Sequence, residues 1–431
     1  MNFQNPWWVD KRKIYDDERV RKVLSLNPRF LIPPILNENL LILGPRQVGK
    51  TTFILTTIMN LLEKGVEPTS ILFFSCEPLK GKEDLVNLLS QYRSFINPEG
   101  GYIFLDEITF VDDWNVGLLH LFNAGYLRNS LIYVSGSTSA NLKKETLPGR
   151  PLRKVAFLPL NFRTFFNTFY KKLEVETVSV FDLKKFYTTS LKLVPYLSEL
   201  NRALLDYVMR GGFLATHYVE GDPLNSLYEV YKDAILSDIA KLNKDERIFK
   251  QVIERVIDTY GSRVSENAIA KTTSIGSHNT VASYLDLSED LFILRVYYKL
   301  ENGEVNAKSF KKVYFLDPFI YRVMKRYTKG EGKVEDSEIP HIIEGIVGEH
   351  LAREYENVGY TFFKGGKEVD FVVKDVGVEV KWGRGSFKDL RVNKGYVLTI
   401  DEIGIEGEKV MLPVSIFLYV MSSNRVFYDM K

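Results

Sequence analysis

A glycine-rich run carries residues whose types and order suit phosphate chemistry. GPRQVGKT at positions 44–51 matches the pattern G-x-x-x-x-G-K-[ST], directly after an apolar run and directly before a helical stretch. Glycines let backbone N–H groups curl around phosphate oxygens at the positive end of a helix. A lysine adds positive charge there, and the next hydroxyl ligates Mg²⁺. We therefore predict a site for ATP and Mg²⁺; the alternative is a chance glycine-rich turn. The residues of the predicted site are Gly44, Pro45, Arg46, Gln47, Val48, Gly49, Lys50, Thr51 and Thr52.

An acidic pair follows a second apolar run. Asp106 and Glu107 come directly after Tyr102–Leu105, where a buried strand is expected to end. Asp106 would hold Mg²⁺ through water, and Glu107 would orient the water that attacks the γ-phosphate. The alternative is a pair of solvated turn residues. With Lys50 on the phosphates, the two motifs together predict ATP hydrolysis.

Further polar residues follow the apolar run SLIYVSGS. Ser135 or Ser137 is suitably located to approach the γ-phosphate, although an ordinary polar turn explains both hydroxyls nearly as well. Downstream, Arg150 and Arg153 lie in LPGRPLR. An arginine at this point either stabilises transition-state charge across a subunit boundary or pairs with a surface carboxylate.

The carboxy-terminal part contains a second group of acidic residues. Asp370 lies in EVDFVV, and Glu379 and Lys381 lie in VGVEVKW, where strand alternation places both on one face. Glu344, on a predicted helix, can approach them. Two or three carboxylates with a lysine bind Mg²⁺ and activate water against a phosphodiester. By spacing alone, an exposed hairpin edge carrying charges is the favoured alternative.

An α/β fold must position the first site. From Asn39 to about Ser137 short apolar runs alternate with helical stretches such as Thr51–Lys64 and Lys82–Phe95, a pattern typical of a parallel sheet flanked by helices. We therefore assign residues 1–160 to a P-loop ATPase domain with an N-terminal extension.

Three further segments are predicted after this domain. Residues 161–263 have helical patterns and are interpreted as an α-helical lid or bundle. Residues 264–328 read as helix, turn, helix and hairpin, with a hairpin signal at Asn302-Gly303, and indicate a winged helix. A polar linker, Lys329–Ser337, precedes an α/β domain at 338–431.

The predicted winged helix offers a DNA contact. Lys271 and Arg295 are candidates for phosphates, and the start of the second helix is a candidate for a groove. The segment is scarcely basic, so packing between domains is an equal alternative. The groove candidates are Ser277, His278, Asn279 and Thr280.

Composition limits the class of protein. The 431 residues are enough for two or three domains, and 57 Lys plus Arg nearly balance 55 Asp plus Glu, which is not typical of a protein that coats nucleic acid. The single cysteine, Cys76, excludes an intramolecular disulfide and indicates a reducing compartment. No apolar run is long enough to span a bilayer, so we expect a cytoplasmic protein without a membrane segment.

Several motifs together resemble a known family. GPRQVGKTT, FLDEI, VSGSTSANLKKETLPGR and LPLNFRTFF are similar to archaeal and bacterial AAA-type ATPases with a nuclease-like carboxy-terminal domain. Ser135 stands where the family motif has threonine, which keeps a hydroxyl available. The resemblance implies that Arg150 is the candidate arginine finger, which is compatible with a homo-oligomer but does not establish one. It also implies that Glu344, Asp370, Glu379 and Lys381 belong to a restriction-endonuclease-like D…ExK fold.

These observations lead to one main hypothesis and two alternatives. The main hypothesis is an ATP-driven, DNA-associated machine whose nucleotide state controls the nuclease-like domain. One alternative is a regulatory or STAND-like switch ATPase that binds DNA or protein without cleaving it. In the other, the last domain is purely structural.

Overall fold

A computed structural model of the chain describes residues 1–26, 37–139, 152–301, 303–363 and 368–430. The chain forms two compact units, Met1–Leu158 with Val426–Lys431, and Pro159–Arg425. Each unit contains one large β-sheet. Within the described ranges, no helix combines the length and apolarity needed to cross a membrane.

The first unit has an α/β arrangement. A short strand at Tyr428–Asp429 completes its six-stranded sheet. The labelled elements are β1 (Leu40–Leu43), β2 (Ile71–Ser75), β3 (Gly101–Asp106), β4 (Ser130–Gly136), β5 (Arg153–Ala156), α1 (Glu18–Leu26), α2 (Lys50–Glu63), α3 (Lys82–Phe95) and α4 (Trp114–Asn123).

The strand order of this sheet brings the predicted motifs together at the carboxyl ends of its parallel strands. β4 lies between β1 and β3, β2 follows β3, and all of these neighbours run parallel. β5 pairs in parallel with the other side of β1, and Tyr428–Asp429 pairs antiparallel with β5. Every residue of β1 is buried, as expected for a parallel strand covered on both faces. The predicted parallel α/β fold is confirmed for this unit.

Side chains of the N-terminal residues cover the free edge of β2. Asn5 donates to the Phe73 carbonyl (2.9 Å) and accepts from the Phe73 N–H (2.7 Å), and Gln4 accepts from the Ser75 N–H (2.7 Å). The indole N–H groups of Trp7 and Trp8 both donate to the Ile71 carbonyl. Side-chain amides thus replace a neighbouring strand, which protects an edge that could pair with another chain.

The second unit combines helices with a nine-stranded sheet. Its strands are β6 (Arg263–Val264), β7 (Leu294–Glu301), β8 (Glu304–Phe315), β9 (Gly359–Phe362), β10 (Glu368–Val373), β11 (Val376–Val380), β12 (Gly395–Thr399), β13 (Gly404–Glu406) and β14 (Lys409–Pro413). Its helices are α5 (Phe162–Phe169), α6 (Leu183–Leu191), α7 (Leu197–Arg210), α8 (Leu214–His217), α9 (Pro223–Lys241), α10 (Glu246–Asp258), α11 (Glu266–Lys271), α12 (His278–Asp290), α13 (Pro318–Lys329), α14 (Ile339–Glu354) and α15 (Val414–Met421).

The order of elements in this unit follows the sequence pattern. The helical stretch holds α5 to α10, and two helices then precede the antiparallel β7–β8 hairpin, in which Glu301 faces Glu304. Asn302 of the hairpin signal lies outside the described residues. β7 also pairs with β9 at Lys299 and Tyr360, so the sheet runs from the predicted winged-helix segment into the carboxy-terminal segment.

The stretch predicted as a polar linker packs against α13. Arg322 donates from Nε to the Gly332 carbonyl (3.0 Å), and Lys325 donates from Nζ to the Lys333 carbonyl (2.7 Å). Val334 is buried. The side chains of α13 provide backbone partners for a stretch whose composition alone indicates a free connection.

One buried and one partly buried histidine of this unit stay neutral near pH 7. His350 donates from Nδ1 to the Ile346 carbonyl and accepts at Nε2 from the Phe162 N–H, and burial lowers its pKa to about 3. His217 donates from Nε2 to the Gly211 carbonyl, and burial lowers its pKa to about 4. Both values lie below the ordinary 6.5.

We expect acid to destabilise this unit through these two histidines. Below pH 6.5 these histidines take up protons in the unfolded chain but not in the folded chain, so their contribution to stability is complete above pH 6.5 and falls as the pH drops toward 4. Asp317 and Glu289, whose pKa burial raises to about 6, act in the opposite direction. Each histidine contributes about 1.4 kcal/mol per pH unit. Urea unfolding between pH 6.5 and 5 measures the slope. His350→Gln should remove one share of it, whereas the exposed control His278→Gln should leave it unchanged; equal slopes in both variants would contradict the assignment.

Candidate functional site

The glycine-rich loop joins β1 to α2 in a conformation that requires its glycines. Gly49 has a φ of +105°, in the left-handed region, and directly precedes the first residue of α2. A Cβ atom on Gly44 would lie 2.1 Å from the Phe157 carbonyl oxygen. The loop therefore curls at the N-terminus of α2, where backbone N–H groups and the helix dipole favour an anion.

Lys50 lies at the start of α2 with its ammonium group turned to the loop. Its side chain is 4% exposed, and Nζ donates to the carbonyls of Gly44 (2.8 Å) and Pro45 (3.1 Å). Nζ also lies 3.8 Å from Glu107 Oε1. A buried positive charge is thus held between the loop and the acidic pair.

Asp106 is held by hydroxyl groups from two sides. Thr51 Oγ1 donates to its Oδ2 (2.6 Å), and Ser135 Oγ, at the end of β4, donates to its Oδ1. Burial raises the pKa of Asp106, while the hydrogen bonds from Ser135 and Thr51 act in the opposite direction. Since β4 lies between β1 and β3, Ser135 occupies the position from which it can connect the two motifs.

Glu107 follows in a strained left-handed conformation, with φ 55° and ψ 44°. Its N–H donates to Ser135 Oγ (3.2 Å). Its Oε2 is buried and has no hydrogen-bond partner among the described residues. A buried carboxylate oxygen without a partner is costly unless a ligand or water satisfies it.

The donor set of this site fits Mg²⁺ and a phosphate. Thr51, Asp106 and Glu107 present only oxygen atoms, which are the ligands that Mg²⁺ prefers. Lys50 and the start of α2 supply the complementary positive charge.

The remaining residues predicted to bind the nucleotide lie in the loop and on the first turn of α2. Gln47 has a φ of 63°, Val48 is buried, and Arg46 lies 3.9 Å from a carboxylate oxygen of Glu77. Thr52, on the first turn of α2, accepts at its carbonyl from Thr56.

The other polar residues predicted after β4 are only partly described. Ser137 is buried, and its Oγ has no hydrogen-bond partner within the described part of the chain. Arg150 lies outside the described residues. Arg153 pairs with Glu38 and Asp429 at the surface, as in the second of its two predicted roles.

The carboxy-terminal acidic residues are only partly brought together. Glu344 on α14 and Asp370 on β10 meet Glu368, and one oxygen of each lies within 4.8 Å of the others. Glu379 is outside this group and pairs with Lys381 (2.7 Å). Burial raises the pKa of Glu379, whose Oε2 is buried without a partner among the residues described.

Lys312 lies inside this acidic group and was not predicted from the sequence. Its Nζ contacts Glu344 (2.5 Å), Glu368 (2.6 Å) and Asp370 (3.2 Å). Tyr314 also donates to Glu344 (2.5 Å). The available signal was the alternation of side chains along a strand. Lys312 and Tyr314 share one face of β8, and Glu368 and Asp370 share one face of β10.

The nucleotide-site geometry agrees with a family comparison. Residues 36–166 match the family model of an AAA domain. The match includes the loop, Asp106, Glu107 and Ser135, and it supports a nucleotide-binding NTPase domain of the AAA type in this part of the chain. Residues 201–331, from α7 to past α13, match a domain of unknown function (DUF8612). A search of curated proteins found no match.

Proposed function

We propose that this protein is a Mg²⁺-dependent ATPase of the AAA type. The observation that carries the proposal is the convergence of Lys50, Asp106 and Glu107 at one end of a parallel sheet, with a buried oxygen of Glu107 left without a partner. These are the groups that ATP hydrolysis needs: a cation that binds phosphate, a carboxylate that binds the metal and a carboxylate that orients water.

Each residue has a defined part in the proposed reaction. The loop N–H groups and Lys50 would bind the phosphate oxygens, and Thr51 with Asp106 would hold Mg²⁺. Mg²⁺, when bound, neutralises the charge that develops on the transferred phosphate. Glu107 orients the attacking water. Ser135 positions Asp106 and the Glu107 backbone, because its Oγ forms hydrogen bonds with both. Arg150 is proposed as an arginine finger from a neighbouring copy in a homo-oligomer.

Metal removal tests the proposal. The full chain should release phosphate from ATP in Mg²⁺ and lose this activity when EDTA removes the metal, because the bound metal neutralises transition-state charge. Restoring Mg²⁺ in excess should restore the rate, which separates metal dependence from unfolding. Phosphate release that is equal with and without EDTA would contradict the proposal.

We also propose DNA as a partner and the predicted division into lid, winged helix and restriction-endonuclease-like segments. Lys271, His278 and Asn279 are exposed around α11 and α12, which supports a contact with DNA. Arg295 does not support it, because its guanidinium pairs with Glu349 (2.5 Å). Mobility-shift titration of the full chain with duplex DNA tests the contact, and loss of affinity in Lys271→Ala is the supporting result.

A second candidate function is a regulatory ATPase switch without nuclease activity. The position of Lys312 among Glu344, Glu368 and Asp370 favours it, since the carboxylates that a nuclease would use for Mg²⁺ already bind an ammonium group. Mg²⁺-dependent DNA cleavage that is lost in Asp370→Ala would favour the nuclease instead.

A further inference from the structure

The carboxylate group of the second unit surrounds a lysine. Lys312 projects from β8, and its side chain is 1% exposed. Its ammonium group lies 2.5 Å from Glu344 Oε1 on α14, 2.6 Å from Glu368 Oε1 and 3.2 Å from Asp370 Oδ1, both on β10. The three oxygens face one another across the space that Nζ occupies.

A divalent cation and this ammonium group compete for the same oxygens. Mg²⁺ and Mn²⁺ require oxygen ligands at distances close to 2 Å, in a nearly octahedral arrangement. Lys312 already uses one oxygen of each carboxylate, and Asp370 Oδ2 accepts from the Val380 N–H (2.9 Å). A metal ion placed among these oxygens would also lie against a positive charge. The group therefore does not fit Mg²⁺ while Lys312 is in place.

The lysine is firmly held in this position. β8 is paired on one side with β6 and on the other with β7, so its backbone is fixed. Nζ lies 6.0 Å from the ring centre of Tyr314 and 5.9 Å from that of Phe371. If the Lys312 ammonium group left this position, three carboxylates would lose a buried counter-ion, which is strongly unfavourable.

A second cation also contacts the group. Arg263 Nε lies 3.1 Å from Glu368 Oε2. Although burial opposes it, the charge of Lys312 lowers the pKa of Glu344 to about 2, whereas burial and the neighbouring carboxylates raise the pKa of Asp370. Glu344 and Glu368 thus find their counter-ions within the chain.

We infer that Lys312 is the resident cation of this group, and that the group joins β8, β10 and α14 as an ionic clamp instead of binding a divalent metal. The D…ExK-like residues Asp370, Glu379 and Lys381 then lie beside a position closed to Mg²⁺. The inference does not depend on ATP hydrolysis at the other unit.

Counting bound Mn²⁺ by electron paramagnetic resonance tests this inference. The full chain is titrated with Mn²⁺ in the absence of nucleotide, as wild type, Lys312→Met and Lys311→Met. Lys311 is the matched control, because it is the neighbouring lysine of β8 and pairs elsewhere, with Glu266 (2.5 Å). We expect Lys312→Met to bind one more Mn²⁺ per chain than the other two proteins. The ATP site is the same in all three, so the difference reports the carboxylate group.

A second substitution locates the additional ion. The double variant Lys312→Met, Asp370→Asn should lose the gained Mn²⁺. A folded Lys312→Met that gains no Mn²⁺ would overturn the inference. If Lys312→Met does not fold, wild type is compared with Glu344→Gln: equal Mn²⁺ counts support the inference, whereas a lower count in Glu344→Gln overturns it.

Discussion

Replacing Lys50 with alanine is expected to lower the rate of ATP hydrolysis by about 100-fold or more, the range found when one preorganised charge-stabilising donor is removed from an active site. Lys50 donates to two carbonyls of the loop, and its Nζ lies 3.8 Å from Glu107 Oε1. Without it, phosphate binding and transition-state charge both lose their partner. Phosphate release at saturating Mg²⁺ and increasing ATP measures kcat and KM.

Two further variants make this experiment specific. Lys64→Ala removes an exposed lysine just after the other end of α2 and should leave the rate unchanged. Glu107→Gln keeps the size and the backbone conformation of Glu107 but cannot activate water, so it should lower kcat while ATP binding is retained. Hydrolysis at the wild-type rate in Lys50→Ala would contradict the proposed site.

The arrangement of the glycine-rich loop and the acidic pair was largely predictable from sequence, because it follows from local patterns. A motif between an apolar strand and a helix fixes the loop at the helix N-terminus, and an acidic pair at the exit of another parallel strand reaches the same edge. The contact of Ser135 with Asp106 was not predicted. It depends on β4 lying between β1 and β3, which strand order decides and local sequence does not.

The carboxy-terminal group shows where sequence patterns fail. Glu344 and Asp370 were predicted to meet, and they do, but Glu368 and Lys312 were not foreseen. Lys312 and Asp370 are 58 positions apart, on strands that do not pair directly with each other. Only the tertiary packing of the second unit shows that the lysine points into the acidic group. Short patterns also gave no sign that Asn5 and Gln4 cover the edge of β2. The residues around them form only three-residue 3₁₀ turns, Asn2–Gln4 and Pro6–Trp8, which are too short to have a periodic pattern.

Glu349→Gln is expected to lower the free energy of unfolding of the second unit by about 3 to 5 kcal/mol, the usual loss when one partner of a buried ion pair is removed. Glu349 is 2% exposed and lies between two guanidinium groups, at 2.5 Å from Arg295 Nε and 3.1 Å from Arg353 Nε. Glutamine has the same size but no charge, so two neighbouring cations would repel each other without an anion between them. Urea unfolding followed by circular dichroism measures the loss.

An exposed ion pair of the same unit is the control. It separates the effect of burial on the free energy of unfolding from the loss of an ion pair as such. Asp375 is 66% exposed and pairs with Lys394 (2.9 Å) at the surface of the same unit. Asp375→Asn should reduce stability by at most about 1 kcal/mol, because water replaces the lost partner. Equal losses in the two variants would show that Glu349 is solvated in solution. A larger loss in Glu349→Gln means that Glu349, together with Arg295 and Arg353, stabilises the core of the second unit as a buried ion pair network.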